Sequence, residues 1–282
     1  MRSRTAFRLV SKPPHGMKHC IPMPVYQLND ELVFPNPEWA NSDGLLAVGG
    51  DLGPERLLHA YELGIFPWYG DDSPILWWSP PERCVIDPDG FHVSRSLRRL
   101  LRQERFTVTF DRAFEEVMYA CAETRIRAGE GTWITPEMLE AYCALHEAGF
   151  AHSAEAWTDG ELVGGIYGVS LGRAFFGESM FKRVSNASKV VFCTLTQKLL
   201  AWQFSLIDCQ ITNPHLQTLG AYLIPRSDFL QRLARTDVNT SRSSTPMPAT
   251  NESPITSTRL LPVGLAKATS GPLNPSRLVR NV

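Results

Sequence analysis

Asp208 and Gln210 stand two residues apart in Leu206-Ile-Asp-Cys-Gln210, an otherwise apolar stretch that reads as a strand. A spacing of two puts both side chains on one face and turns Cys209 away. An acid and an amide side by side in such a strand need partners, because an unpaired polar group is costly to bury. They are either a hydrogen-bonded structural pair or an acid that orients an amide for proton handling and for holding a nucleophile. Glu178, in Gly177-Glu-Ser-Met180, offers a second carboxylate suited to a cationic group. Trp68 follows Pro67 just beyond a helix end, and Trp133 sits where a loop enters a helix, with Thr132 and Thr135 beside it as caps. Loop tryptophans are harder to explain as core than helical ones, and their faces suit a stacked nucleotide base, worth about 1–3 kcal/mol. Trp77-Trp78 reads as packing, since adjacent residues of an extended segment cannot both face one ligand.

The elements that must position these groups alternate helices and strands. Gly44–Asp51 reads as a buried strand with a glycine turn. A helix follows, with Pro54 in its first turn, and runs through Leu63 to Gly64 at its C-terminal end. Ser94–Arg105 is helical by period, Phe106–Phe110 alternates as a strand, and Trp133 to Gly149 is mostly helix. A meander comes next: Ala151–Trp157, a turn at Thr158-Asp-Gly160, Leu162–Ser170, Leu171-Gly172, and Ala174–Met180. Helix 187–203, strand Leu206–Gln210, a short helix to Gly220 and strand Ala221–Ile224 complete the order. Alternation groups Gly164, Ile166 and Gly168 on one face of their strand, where glycines admit a ligand or neighbouring backbone. In the next strand it groups Phe176, Glu178 and Met180 against Phe175 and Gly177. Ile166, Phe175, Met180 and Phe192 are candidates for an apolar pocket, with ordinary core as the rival reading. Arg95, Arg98, Arg99, Arg102 and Arg105 fall on an arc of about 120° opposite Leu97, Leu100 and Leu101. That one-signed face suits phosphate.

Bulk numbers set the frame. The 282 residues are 43% hydrophobic, enough for one large or two modest domains. Net charge is −1, but residues 1–28 carry +5 and 237–282 carry +3, leaving −9 on 29–236. An acidic body argues against indiscriminate nucleic-acid binding, so an RNA contact must come from a local basic patch. The six cysteines form no CxxC pair, which suggests neither a zinc site nor a disulfide framework. No apolar run is long enough to span a bilayer, and the sequence reads as that of a soluble protein. The basic, proline-punctuated segment 1–28 is expected to be a disordered extension, or to precede a true start at Met17 or Met23. The Ser/Thr/Pro-rich segment 237–282 lacks aromatics and is expected to be disordered.

Gly131-Thr-Trp-Ile-Thr135, Gly177-Glu-Ser-Met180 and Leu206–Gln210, with Gly64-Ile-Phe-Pro-Trp68 and Trp77-Trp-Ser-Pro80 upstream, resemble the leucyl/phenylalanyl-tRNA–protein transferases. The resemblance runs from about Val33 to about Leu233. It implies an α/β (α+β) chain: a small N-terminal α/β domain over 29–82, then a GNAT-like N-acyltransferase domain with a mixed sheet over 83–236. It implies transfer of Leu or Phe, and Met less well, from aminoacyl-tRNA to proteins that begin with Arg or Lys. The product is marked for N-degron-dependent degradation in the bacterial cytoplasm by a monomer without cofactor or metal. Trp68 and Trp133 would line the aminoacyl-adenosine site, and Arg95, Arg98, Arg99 and Arg102 the tRNA backbone site. Ile166, Phe175, Met180 and Phe192 would hold an aminoacyl side chain unbranched at its β-carbon. Asp208, Gln210 and Glu178 would serve catalysis, with Glu178 reading the acceptor's positive charge. Either Arg125 or Arg127 fills the family's arginine position before Trp133. Arg183-Val-Ser-Asn-Ala-Ser188 lacks the glycines with which acetyl-CoA-using members of that fold cradle pyrophosphate. A tRNA-dependent peptidoglycan-bridge transferase shares fold and donor but is usually longer. A non-enzymatic tRNA-binding module would use the arginines and leave Asp208, Gln210 and Glu178 idle.

Overall fold

The computed structural model describes residues 8–10, 25–129 and 131–238. Two sheets form. The smaller takes β1 (Arg8–Val10), β2 (Val25–Leu28), β3 (Leu45–Gly49), β4 (Phe66–Pro67) and β5 (Leu76–Trp78), with α1 (Pro54–Glu62) between β3 and β4. Its order is β1-β2-β3-β5-β4, with only β2 and β3 parallel. The larger begins at β6 (Glu82–Ile86), followed by α2 (Arg95–Arg102), β7 (Thr107–Phe110), α3 (Phe114–Arg127) and α4 (Pro136–Glu147). The meander is β8 (Ala151–Thr158), β9 (Glu161–Leu171) and β10 (Ala174–Lys182); α5 (Ala187–Ala201) crosses to β11 (Leu206–Gln210). The chain ends through α6 (Pro214–Thr218), β12 (Tyr222–Pro225) and α7 (Arg226–Ala234). The seven strands run β12-β6-β11-β10-β9-β8-β7, and β10–β11 is the single parallel pair. The fold is therefore mixed α/β with mixed sheets.

Two apolar clusters cover the two faces of the larger sheet. One joins Tyr61, Trp77, Phe114, Tyr142, Tyr167 and Phe176 beneath α1, α3, α4 and the smaller sheet. The other joins Leu97, Ile166, Phe175, Val191, Phe192 and Ile207 beneath α2 and α5. No helix among the described residues is long and apolar enough to cross a membrane.

Local signals explain the element ends. Pro54 opens α1, and Gly64, at φ +70°, closes it. Asp159 and Gly160 both take positive φ, as a tight hairpin with right-handed twist requires. Thr135 caps α4, accepting the Met138 N–H at 3.2 Å. In β9 the glycine face packs against protein: a Cβ on Gly168 would lie 2.2 Å from the Phe176 carbonyl oxygen and 2.6 Å from the Phe175 ring. Gly168→Ala is expected to cost about 3 kcal/mol or more by overpacking, a fall in melting temperature of roughly 6–12 °C for a chain this size. Thermal denaturation checks it.

Three expectations need correction. The extension 1–28 is not wholly without structure, since Arg8–Val10 pairs with Val25–Leu28, whose backbone also joins β3. Residues 1–7 and 11–24 of it lie outside the described residues. The packed chain runs past 236: Val238 is fully buried, and the Arg173 N–H donates to the Thr236 carbonyl at 2.6 Å. The remaining tail, 239–282, lies outside the described residues. Finally, α2 ends at Arg102, because Glu104 turns to φ +49° and leaves the helical region. Arg105 is therefore off the helix, its guanidinium over the Phe106 ring at 5.7 Å.

Candidate active site

The parallel ladder of β10 and β11 pairs Ala174, Phe175 and Phe176 with Leu206, Ile207 and Asp208 and goes no further. Both strands are irregular just beyond. In β10 the register against β9 shifts between Gly177 and Ser179, so Glu178 is the extra residue of a bulge. In β11 the register against β6 shifts between Asp208 and Gln210, and Gln210 takes φ +59°. Bulges re-aim side chains, and here they turn Glu178 and Gln210 toward each other.

The Glu178 bulge overturns one expectation. Strict alternation put Phe176, Glu178 and Met180 on one face. With an extra residue inserted, Met180 changes side: Phe176 belongs to the cluster beneath α1 and α3, while Met180 packs with Phe175 and Ile166 in the other. Ile166, Phe175 and Phe192 are each almost fully buried there, with Met180 half-buried against them. Ile207, fully buried, lies in the same cluster.

Glu178 collects three donors. Tyr61 donates to Oε1 at 2.7 Å, Gln210 Nε2 to Oε1 at 2.8 Å, and Tyr142 to Oε2 at 3.2 Å. The two phenol oxygens also lie in contact with each other, and since each carries a single proton, a phenol that donates to its neighbour gives up its bond to Glu178. Tyr61 comes from α1 and Tyr142 from α4, so three distant segments converge on one carboxylate. Burial pushes the Glu178 carboxyl up to about 7. The Asp208 charge pushes it the same way, and the hydrogen bonds from Tyr61, Tyr142 and Gln210 pull against it. Burial, then the neighbouring Glu178 charge, raises both tyrosines well above the usual phenol value, so both remain donors. A carboxylate pushed up toward neutrality, just past the end of the β10–β11 ladder, can accept a proton or a cation.

Asp208 is placed differently. Its side chain is 0% exposed and both oxygens are held by Arg83, Nε to Oδ1 at 2.9 Å and Nη2 to Oδ2 at 2.7 Å. Oδ1 also accepts the Gln210 backbone N–H at 2.8 Å. Asp208 therefore orients Gln210, as the spacing suggested, but through its backbone, and has no free face for an incoming amine. Cys209 turns away, half-buried against the opposite cluster.

Trp68 is 39% exposed and meets Trp133 edge-on, with ring centroids 6.2 Å apart. Trp78 packs against Trp68 at 5.8 Å, and its Nε1 donates to the Trp68 carbonyl at 2.7 Å. Trp77 is fully buried, so of the adjacent pair only Trp78 reaches the site. The Arg125 guanidinium lies over Trp133 at 4.0 Å, whereas Arg127 is exposed and pairs with Glu123. Arg125 thus takes the position beside Trp133. A cavity of about 260 Å³ opens against Trp68, lined also by Phe66, Trp78, Glu82, Ile211 and Leu223. Arg95, Arg98, Arg99 and Arg102 all stand exposed on α2, over buried Leu97 and Leu101.

Residues 85–234 match the leucyl/phenylalanyl-tRNA protein transferase family, and residues 50–81 match the N-terminal domain of that family. A leucyl/phenylalanyl-tRNA–protein transferase of Desulfatibacillum aliphaticivorans is 61% identical over 76% of this chain and 92% of its own length. Another, from Syntrophotalea carbinolica, is 57% identical over 78% and 95%. The crystal structure of FemX overlays at a TM-score of only 0.42, with 13% identity over 67% of this chain and 74% of that one. The chain is an aminoacyltransferase. It belongs to the leucyl/phenylalanyl-tRNA–protein transferase family.

Proposed function

We propose that the chain transfers Leu or Phe, and Met less well, from aminoacyl-tRNA to the N-terminal Arg or Lys of acceptor proteins. The observation that carries this reading is the Glu178 carboxylate, held by Tyr61, Tyr142 and Gln210 where β10 and β11 part. In the reaction the acceptor's amine nitrogen attacks the ester carbonyl. A C–N bond forms, the ester C–O bond breaks, and the terminal ribose hydroxyl leaves with the proton that the amine gives up. The ester is already activated, so positioning supplies much of the rate. Gln210 spends its Nε2 on Glu178, which leaves its amide oxygen to accept an amine N–H. Glu178, ionised above about pH 7, takes the positive charge of the acceptor's first residue.

Trp68, Trp78 and Trp133 form the platform for the terminal adenosine. The cavity beside Trp68 has two carboxylate residues, Asp43 and Glu82, in its wall, which suit a base amine or a ribose hydroxyl rather than a phosphate. Ile166, Phe175, Met180, Phe192 and Ile207 enclose the aminoacyl side chain; a β-branched one would clash near the ester. The α2 arginines grip the tRNA backbone. The protein acts as a monomer in the bacterial cytoplasm, where its products become substrates for degradation, and the β6–β12 unit is the GNAT-like catalytic domain.

Labelled Phe-tRNA with peptides that vary only in the first residue tests the reading. Label is expected on Arg- and Lys-initiated peptides and not on neutral or acidic ones. Label on none of them, or on all alike, would overturn it. The non-enzymatic alternative gives no transfer at all.

A further inference from the structure

We infer that Arg83 is a positioning residue for aminoacyl transfer: it clamps Asp208, which fixes Gln210 in a left-handed backbone conformation from which its amide reaches Glu178. This rests on the reading of Glu178 and Gln210 as the groups that meet the acceptor.

Arg83 is held on every side. Its side chain is 1% exposed. Two of its nitrogens engage Asp208 in the fork-to-fork geometry that is strongest for this pair, and Nη1 donates to the Gly64 carbonyl at 3.1 Å. The Phe66 and Phe229 rings lie against the guanidinium at 4.6 and 4.5 Å. No substrate atom reaches it, so any part it plays runs through Asp208.

Gln210 supplies the reason for the clamp. A non-glycine residue at φ +59° is held against its own preference, at a cost on the order of 1 kcal/mol. Such a conformation lasts only where the surroundings over-determine it. Besides the pairing of Gln210 with Cys84 on β6, the bond that holds it there is made by Asp208, whose Oδ1 accepts the N–H two residues on, at 2.8 Å. An aspartate free to rotate would not fix that bond, and Arg83 removes the freedom. The Gln210 amide then lies 2.8 Å from Glu178. Stability alone is a poor explanation, because a buried ion pair is commonly matched or bettered by apolar residues of the same volume.

The test uses Arg83→Gln, Asp208→Asn and the double variant, with Phe-tRNA and an Arg-initiated peptide, well below each melting temperature. Each single variant leaves a buried group unmatched. Each is expected to lower kcat by roughly ten- to a hundredfold and to change either KM by no more than about threefold. In the double variant the two amides pair, and an amide oxygen at position 208 still accepts the Gln210 N–H. It is expected to recover both melting temperature and most of kcat. Recovery of melting temperature without kcat would show that the Asp208 charge acts directly and would overturn the inference. So would single variants that melt lower but keep full kcat.

A carboxyl NMR titration of Glu178 needs no substrate. Tyr61, Tyr142, Tyr167 and Asp208 also face or influence this carboxyl. In Arg83→Gln the midpoint should rise, through loss of the Gln210 donor and an Asp208 charge that Arg83 no longer offsets; the double variant, which restores the donor and removes that charge, should bring it back down. An unmoved midpoint sinks the positioning role whatever the transfer assay gives. A shifted and restored midpoint in a protein that transfers nothing would leave the Arg83 clamp standing and bring down the proposed function instead.

Discussion

Glu178→Gln is expected to raise the KM for Arg-initiated acceptor peptides about tenfold or more and to shrink the preference over Ala-initiated ones. One charge-assisted contact is worth on the order of 1.5–3 kcal/mol. The change keeps the shape: the amide oxygen can accept from Tyr61 while the amide NH2 donates to the Tyr142 phenol oxygen, so the fold should survive. The pH dependence gives a second reading. The reactive form is the ionised one, and the carboxyl is pushed up to about 7, so kcat/KM for the unmodified protein should rise with pH through that value. The variant should lack that limb.

Stability should respond with the opposite sign. The folded-state value lies above the usual 4.5, so between the two the native state binds more protons than the unfolded state. Stability therefore falls as pH rises through about 7. Glu178→Gln should melt above the unmodified protein at about pH 8, by on the order of 1–2 kcal/mol after allowance for partial exposure, and show no advantage near pH 4. A steady-state comparison of Arg- and Ala-initiated peptides decides the catalytic half. An unchanged ratio would move acceptor recognition away from Glu178.

Replacing Arg98 and Arg102 together by Glu should weaken tRNA binding roughly thirtyfold or more at low salt and flatten the plot of log affinity against log salt by about two units. Both side chains are exposed on the face of α2 opposite the buried Leu97 and Leu101, so neither change disturbs packing. Transfer from a minimal aminoacyl-adenosine donor, which lacks the backbone that the helix would grip, should be largely spared. Equal failure with both donors would mark the patch as structural.

The sequence was informative wherever the signal was short-ranged. Pro54 and Gly64 bounded α1, the Thr158-Asp-Gly160 turn set the β8–β9 hairpin, and the leucine and arginine spacing of α2 divided buried from exposed. Asp208 does hold Gln210, as their spacing suggested, but through the backbone N–H and across a register shift that strict alternation does not contain. Period was missed in α3, although Phe114, Val117 and Cys121 already traced a buried stripe at helical spacing. The Glu178 bulge carries no such mark: an extra residue in a strand looks like any other residue, and one insertion re-phases everything after it. Tyr61, Tyr142 and Arg83 were invisible for another reason. Each is ordinary where it stands and becomes part of the site only through a partner far along the chain.

That distance matters while the protein is being made. Arg83 and Asp208 are separated by 125 residues, and Tyr61 and Glu178 by 117, while Phe229, against the Arg83 guanidinium, comes later still. A chain emerging from the ribosome thus holds no partly working centre to release early. Until α7 has emerged and docked, Arg83 lacks one of its two aromatic walls. Activity should switch on as a single late event, and chains cut short before α7 should be inert rather than merely slow.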